Sequence, residues 1–174
     1  MRRLSLLGLS GLLFFVTLFC FSSTALSSDW TPDSFRGVKL GQDLKTIKGL
    51  VLVEAIDEGR IKLFYKKRES LRMGRVRLDS VRYLSYNDKI AQIDMFFIPN
   101  KENQVAALEE LINSLGMWHE DKSKKGRDIY QWNYGENIVI RYAAIPQTGE
   151  GGVFAKYLPH TKEIDKYLDE TEQE

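Results

Sequence analysis

The side chains able to do chemistry are few. His119 and His160 are the only imidazoles in the chain, and Cys20 is the only thiol. Serine catalysis needs a base held against the hydroxyl, and no Gly-x-Ser-x-Gly elbow presents one. A hydrolase using His119 or His160 with a nearby carboxylate is an alternative that rests on tertiary placement alone. His119-Glu120-Asp121 offers three ligating side chains. Adjacent residues rarely aim at one ion, however, and no His-Glu-x-x-His helix supports them. Gly149-x-Gly151-Gly152 has the glycines of a phosphate loop, but it leads into a strand and lacks the helix N-terminus that stabilises the anion. It reads as a hairpin loop. These patterns lead us to expect no catalytic residue, no metal site and no cofactor.

Charge is the strongest chemical asymmetry. Nine basic residues lie between Arg60 and Arg82, against only Glu69 and Asp79. Strand alternation puts Lys62, Lys66, Arg75 and Arg77 mostly on the outer face of one hairpin. Together with Lys67, Arg68 and Arg82 they are the candidate binding residues for an anionic partner. Residues 162–174 run the other way, with six acids against two lysines. The same pattern also describes a solvated strand face, on which lysines discourage edge-to-edge aggregation.

The elements that must position these residues begin with a leader. Residues 1–28 contain no acid, and Arg2 and Arg3 precede an almost wholly apolar run from Leu4 to Phe21. Small residues follow, with Ser23 and Ala25 at the −3 and −1 positions for cleavage after Ala25. This is the order of a secretory signal peptide, read here as residues 1–25. An uncleaved inner-membrane anchor is the alternative, since the run is nearly long enough to span a bilayer. Across the full 174 residues, 25 basic and 24 acidic side chains give +1. Cleavage takes away two arginines and the cysteine, leaving 149 residues at −1 with no thiol. Such a chain must stand on its core without a disulfide.

At 43% hydrophobic residues the chain is too apolar to be disordered. Its near-neutral balance and exported compartment argue against nucleic acid as a partner. The expected partner is an anionic envelope component (a lipid headgroup or a polysaccharide) or a protein. No lasting membrane anchor is expected once the leader is removed.

Residues 26–160 read as one α+β domain. Asp43–Lys48 can make a short helix ended by Gly49, and strands follow at 50–55, 60–68, 75–86 and 90–98. The phase of alternation slips near Asp79-Ser80, which predicts a bulge, and Asn87-Asp88-Lys89 marks a hairpin turn. Asn100 can cap a helix over Lys101–Leu115, with Val105, Leu108, Leu111, Ile112 and Leu115 as its apolar stripe and Gly116 as its stop. Strands at 129–134, 138–145 and 153–158 complete the pattern, and residues 161–174 form a short helix and an acidic tail. The segment from Tyr83 to Ile93 is similar to that from Tyr130 to Ile140. The fold expected is an antiparallel sheet of about six strands with two helices on one face. It divides into helix-plus-meander half-repeats at about 35–99 and 100–158.

The sequence Phe35-x-Gly37-x-x-x-Gly41, Gly49-Leu50, the Gly74 hairpin, the Leu115-Gly116 helix end and Tyr130-x-Trp132 resembles a class of small, largely uncharacterised exported bacterial α+β proteins. The resemblance covers nearly all of residues 35–158, on structural glycines and aromatics. More distantly, the plan is similar to the small outer-membrane-assembly lipoproteins and to the β-lactamase inhibitor protein, which are non-enzymatic binding modules. The lipid-anchor cysteine context of the former and the disulfides of the latter are missing, so no functional residue is carried over. What the resemblance implies is a fold and an exported, non-catalytic binding or interaction module of the bacterial envelope. A purely structural accessory domain is a further alternative.

Overall fold

The computed structural model describes residues 30–171, so the leader and its cleavage site lie outside the described residues. Three two-residue strands come first among the described residues, β1 (Trp30–Thr31), β2 (Ser34–Phe35) and β3 (Val38–Lys39). They form a small antiparallel sheet that sends Trp30, Phe35 and Val38 into the main core. Arg36 and Gly37 both take positive φ to make the tight turn between β2 and β3. Hydrogen bonds Gly41 N–H to Ile90 O (2.7 Å) and Ile90 N–H to Gln42 O (2.9 Å) fasten this small sheet to the large one.

The main sheet has nine strands, and every pairing in it is antiparallel. Its first half holds β4 (Leu50–Ile56), β5 (Ile61–Lys66), the two-residue β6 (Arg72–Met73), β7 (Val76–Tyr86) and β8 (Lys89–Phe97). The second half holds β9 (Glu120–Asp121), β10 (Asp128–Tyr134), β11 (Ile138–Ile145) and β12 (Glu150–Tyr157). The strand order is β4-β5-β7-β8-β12-β11-β10-β9, with β6 paired to β7. Two meanders therefore meet along β8 and β12. The expected count of about six strands falls short for two reasons. β6 and β9 are only two residues long, and β1 to β3 form a separate sheet that alternation does not reveal.

Local chemistry explains the connections. Asn87 and Asp88, at φ 48° and 60°, supply the two left-handed positions of a tight β7–β8 hairpin. The register of β7 against β8 shifts between Leu78 and Ser80, placing the bulge at the predicted position. Asp43–Lys48 is not an α-helix. Asp43 accepts from Lys45 N–H and caps a single 3-10 turn at Leu44–Thr46, because Gly49 and the start of β4 leave no room for a second turn.

The first α-helix, α1 (Lys101–Leu115), is capped by Asn100, which accepts from Asn103 N–H, and ends at Gly116 with φ 79°. Leu108, Leu111, Ile112 and Leu115 of the expected apolar stripe pack on the main core, and its N-terminal end alone departs from the expectation. Val105 is 49% exposed, while Asn103, Gln104, Ala107 and Leu111 are buried. The two amides face inward because they satisfy carbonyls at strand ends. Asn103 Nδ2 donates to Ile98 O (3.0 Å), and Gln104 Nε2 donates to Ile145 O (3.0 Å) and Glu150 O (2.9 Å). These buried bonds hold the start of α1 to both meanders.

Under α1 lies the main core, with Tyr83, Ile93, Met95, Trp132, Ile140 and Val153 pointing toward it. The second α-helix, α2 (Leu158–Thr171), begins earlier and runs longer than the short tail helix expected from Thr161. Ile164 packs with Ile61 and Ala91 in a separate cluster bordered by Tyr86, and Asp165 pairs with Lys156 at 3.3 Å. Tyr86 and Lys156 alternate away from Tyr83 and Ala155, so α2 covers the face opposite α1. Two helices on one face is thus corrected. The segment expected to be the first helix is the 3-10 turn, whose Leu44 and Ile47 do reach the main core, and the second true helix is α2.

Candidate functional site

The sheet face opposite α1 is only partly covered by α2. Strand registers fix what it presents. One row runs Arg82, Asp94, Phe154, Arg141, Gln131, Glu120 across six strands, from β7 to β9. The next row runs Ser80, Phe96, Gly152, Ala143, Ile129. Where the rows meet, a cleft of about 560 Å³ opens, lined by Phe96, Phe154, Ile129 and Ala143, with Arg82 and Arg127 on opposite sides. Arg82 stands on β7 and Arg127 just before β10, four strand steps apart, or roughly 19 Å across the sheet.

The floor is aromatic and preformed. Phe96 and Phe154 meet edge to face, with centroids 5.6 Å apart at 83°. The Arg82 guanidinium lies 4.8 Å from the centroid of Phe96, a cation–π contact. Gly152 keeps the space open. A Cβ there would stand 2.8 Å from Met95 O and 3.1 Å from Phe154 Cζ. Arg82 and Arg127 make no ion pair among the described residues. Asp79 and Glu150 also border the cleft, so its rim carries both signs of charge.

Beside the cleft, Asp94 is only 7% exposed although it faces away from the main core. Gln92 Nε2 donates to its Oδ1 at 2.6 Å. Burial pushes the carboxyl up to about 6, against the pull of that hydrogen bond and of the Lys156 and Arg82 charges. On the far side of Phe154, Arg141 donates through Nη2 to Gln131 Oε1 at 3.2 Å, while its Nε is buried with no acceptor among the described residues.

The basic residues predicted as one binding face are dispersed. Lys62 pairs with Asp88 at 2.6 Å, Lys66 donates to Arg36 O at 2.9 Å, and Arg75 pairs with Glu109 on α1. Lys67 and Arg68 lie exposed in the turn after β5, Arg77 is exposed on β7, and Arg82 alone reaches the cleft. The outer-face grouping of Lys62, Lys66, Arg75 and Arg77 is therefore not what the fold builds, because Arg75 sits in the β6–β7 turn and is drawn to α1. Phe96, Phe154, Ile129 and Arg127 were not candidates. A signal for them does exist, since Asp94-Met95-Phe96-Phe97 is apolar in both phases at its end, and Gly151-Gly152 precedes Val153-Phe154.

Both histidines lie away from the cleft. His119 Nδ1 accepts from Asn133 N–H at 2.9 Å. His160 lies between Tyr157 and Tyr86, with centroids at 5.1 and 6.2 Å, and burial, helped by the Lys89 charge, lowers its pKa. Gly151 and Gly152 belong to β12, so the glycine loop expected at 146–152 shortens to 146–149. Among the described residues, no cluster of three or more acidic or histidine side chains is placed to hold a metal. None of the described helices is long and apolar enough to cross a membrane. No family model, curated protein or solved structure matches the chain.

Proposed function

We propose that this protein is an exported binding module of the bacterial envelope that performs no catalysis. It takes a ligand with a flat apolar body and an acidic group into the cleft on the open sheet face. One observation carries this reading: a preformed aromatic floor, Phe96 against Phe154, with the Arg82 cation held over it. A mostly apolar concavity with a few placed polar groups is the usual form of a small-ligand site. The rings supply contact area, and Arg82, set against the Phe96 ring, supplies a directed charge. The placement of His119 and His160 outside the cleft favours this reading over a histidine-based hydrolase. Export rests on the leader sequence.

Two fluorescent probes with similar ring systems test the proposal on the purified protein. One is the anionic 1-anilinonaphthalene-8-sulfonate and the other the uncharged N-phenyl-1-naphthylamine. We expect saturable binding of the anion, weakened about tenfold by Arg82→Glu and by Phe154→Ala, and weaker binding of the neutral probe. Equal affinity for both probes, or full affinity in both variants, refutes the proposal.

A further inference from the structure

A buried carboxyl stands next to the cation of the cleft. Register sets Asp94 on β8 directly across from Arg82 on β7 and from Phe154 on β12. Facing residues of paired antiparallel strands have Cβ atoms about 4.5–5.5 Å apart, so an Asp94 carboxylate is within reach of the Arg82 guanidinium. The two nevertheless form no ion pair among the described residues. Arg82 lies instead on the Phe96 ring, 4.8 Å from its centroid, on the cleft side. Asp94, 7% exposed, takes its hydrogen bond from Gln92 Nε2.

The charges around Asp94 come from three elements. β7 supplies Arg82, and β12 supplies Lys156, which faces Gln92 one step along the sheet. From α2, Asp165 holds Lys156 at 3.3 Å. Beyond Phe154, Arg141 is turned to Gln131 at 3.2 Å. Arg82 is thus the cation that faces Asp94 with no carboxylate of its own among the described residues. Burial favours the neutral carboxyl and raises its pKa to about 6, and in that form it makes no claim on Arg82. Ionised, it is a buried anion in need of a cation, and the one facing it is Arg82.

We infer that the cleft takes up its acidic ligand together with a proton on Asp94: the neutral carboxyl leaves Arg82 to the ligand, and the carboxylate competes with the ligand for it. This coupling rests on the proposal above that the cleft binds acids through Arg82. Ligand and proton strengthen each other's binding, because linkage is reciprocal. The cleft therefore loads in mildly acidic surroundings and releases its ligand as pH rises. Arg82 is exposed, so solvent screens the competition. Charges this close to one another at a protein surface then couple on the order of fivefold.

The experiment titrates the purified protein with 1-anilinonaphthalene-8-sulfonate, whose sulfonate stays ionised throughout, at pH 5 and at pH 8. The parent should bind it about fivefold more tightly at pH 5. Asp94→Asn should bind at pH 8 as tightly as the parent does at pH 5, with less than about twofold change between the two. Arg82→Gln should bind weakly at both, because the contested cation is gone. The uncharged N-phenyl-1-naphthylamine should bind the parent alike at both pH values. Thermal unfolding at each pH reports whether each variant is folded. A parent affinity that is flat with pH, while Arg82→Gln still weakens binding, overturns the proton coupling and leaves the cleft reading standing. No saturable binding of the anion at either pH overturns both. A fivefold rise that persists in Asp94→Asn comes from other groups, His160 or Glu150 among them, and also overturns the coupling.

Discussion

Replacing Asp94 by asparagine isolates the electrostatics of the open sheet face. The carboxyl is 7% exposed, and burial raises its pKa from 3.8 to about 6. Between those two values the folded chain retains a proton that the unfolded chain has released. The stabilisation is therefore fully present below pH 3.8, declines as pH rises, and is gone once pH passes 6. At 1.36 kcal/mol per unit, the whole effect amounts to about 3 kcal/mol. Asparagine keeps an oxygen to accept from Gln92 Nε2 and carries no charge at any pH. The stability of Asp94→Asn relative to the parent should thus be near zero at pH 3.5 and reach about 3 kcal/mol in favour of the variant at pH 8. Urea unfolding followed by tryptophan fluorescence across that range measures the difference, and other titrations common to both proteins cancel. A difference flat with pH, or a variant less stable than the parent at pH 8, would show that the burial argument is wrong.

Three other substitutions probe separate parts of the structure. Gly152→Ala pushes a methyl against Met95 O and the Phe154 ring. It should cost about 1–3 kcal/mol in thermal unfolding and impair probe binding in the cleft. Tyr83→Phe removes the donor to Glu69, whose pKa burial already raises. The loss, about 1–3 kcal/mol, should be larger at pH 8 than at pH 4, because the carboxylate form is the one left unsatisfied. Arg75→Ala breaks an ion pair whose side chains are 59% and 51% exposed. Chemical denaturation should change by less than about 0.5 kcal/mol, and a larger loss would mean that the pair anchors α1.

Local chemistry made half of this fold readable. The β7–β8 hairpin follows from alternation and Asn87-Asp88, and the ends of α1 follow from Asn100 and Gly116, because each is settled within a few residues. The rotation of α1 is not local. Gln104 is buried and Val105 exposed because carbonyls of Ile145 and Glu150, some forty residues onward, require a donor. The cleft is hidden for the same reason. Phe96 and Phe154 meet only because β8 pairs with β12, and no periodicity announces that pairing. Arg82 could be named from the basic run, but Arg127 could not, since it lies in the polar loop before β10. The dispersal of the basic residues was likewise set by distant partners, Asp88 for Lys62 and Glu109 for Arg75.

The seam between β8 and β12 also governs how the chain reaches this state. Each meander can pair its own neighbours early, but the sheet becomes continuous only when Gly152–Lys156 lies against Gln92–Phe96, a separation of some sixty residues. Closing so long a loop is slow compared with forming hairpins. Until it closes, β8 is itself an open edge bearing Ile93, Met95 and Phe97. For a chain synthesised from its N-terminus, that edge emerges well before the strand that will cover it. The longer β12 takes to dock, the longer β8 stands open to pairing with another strand.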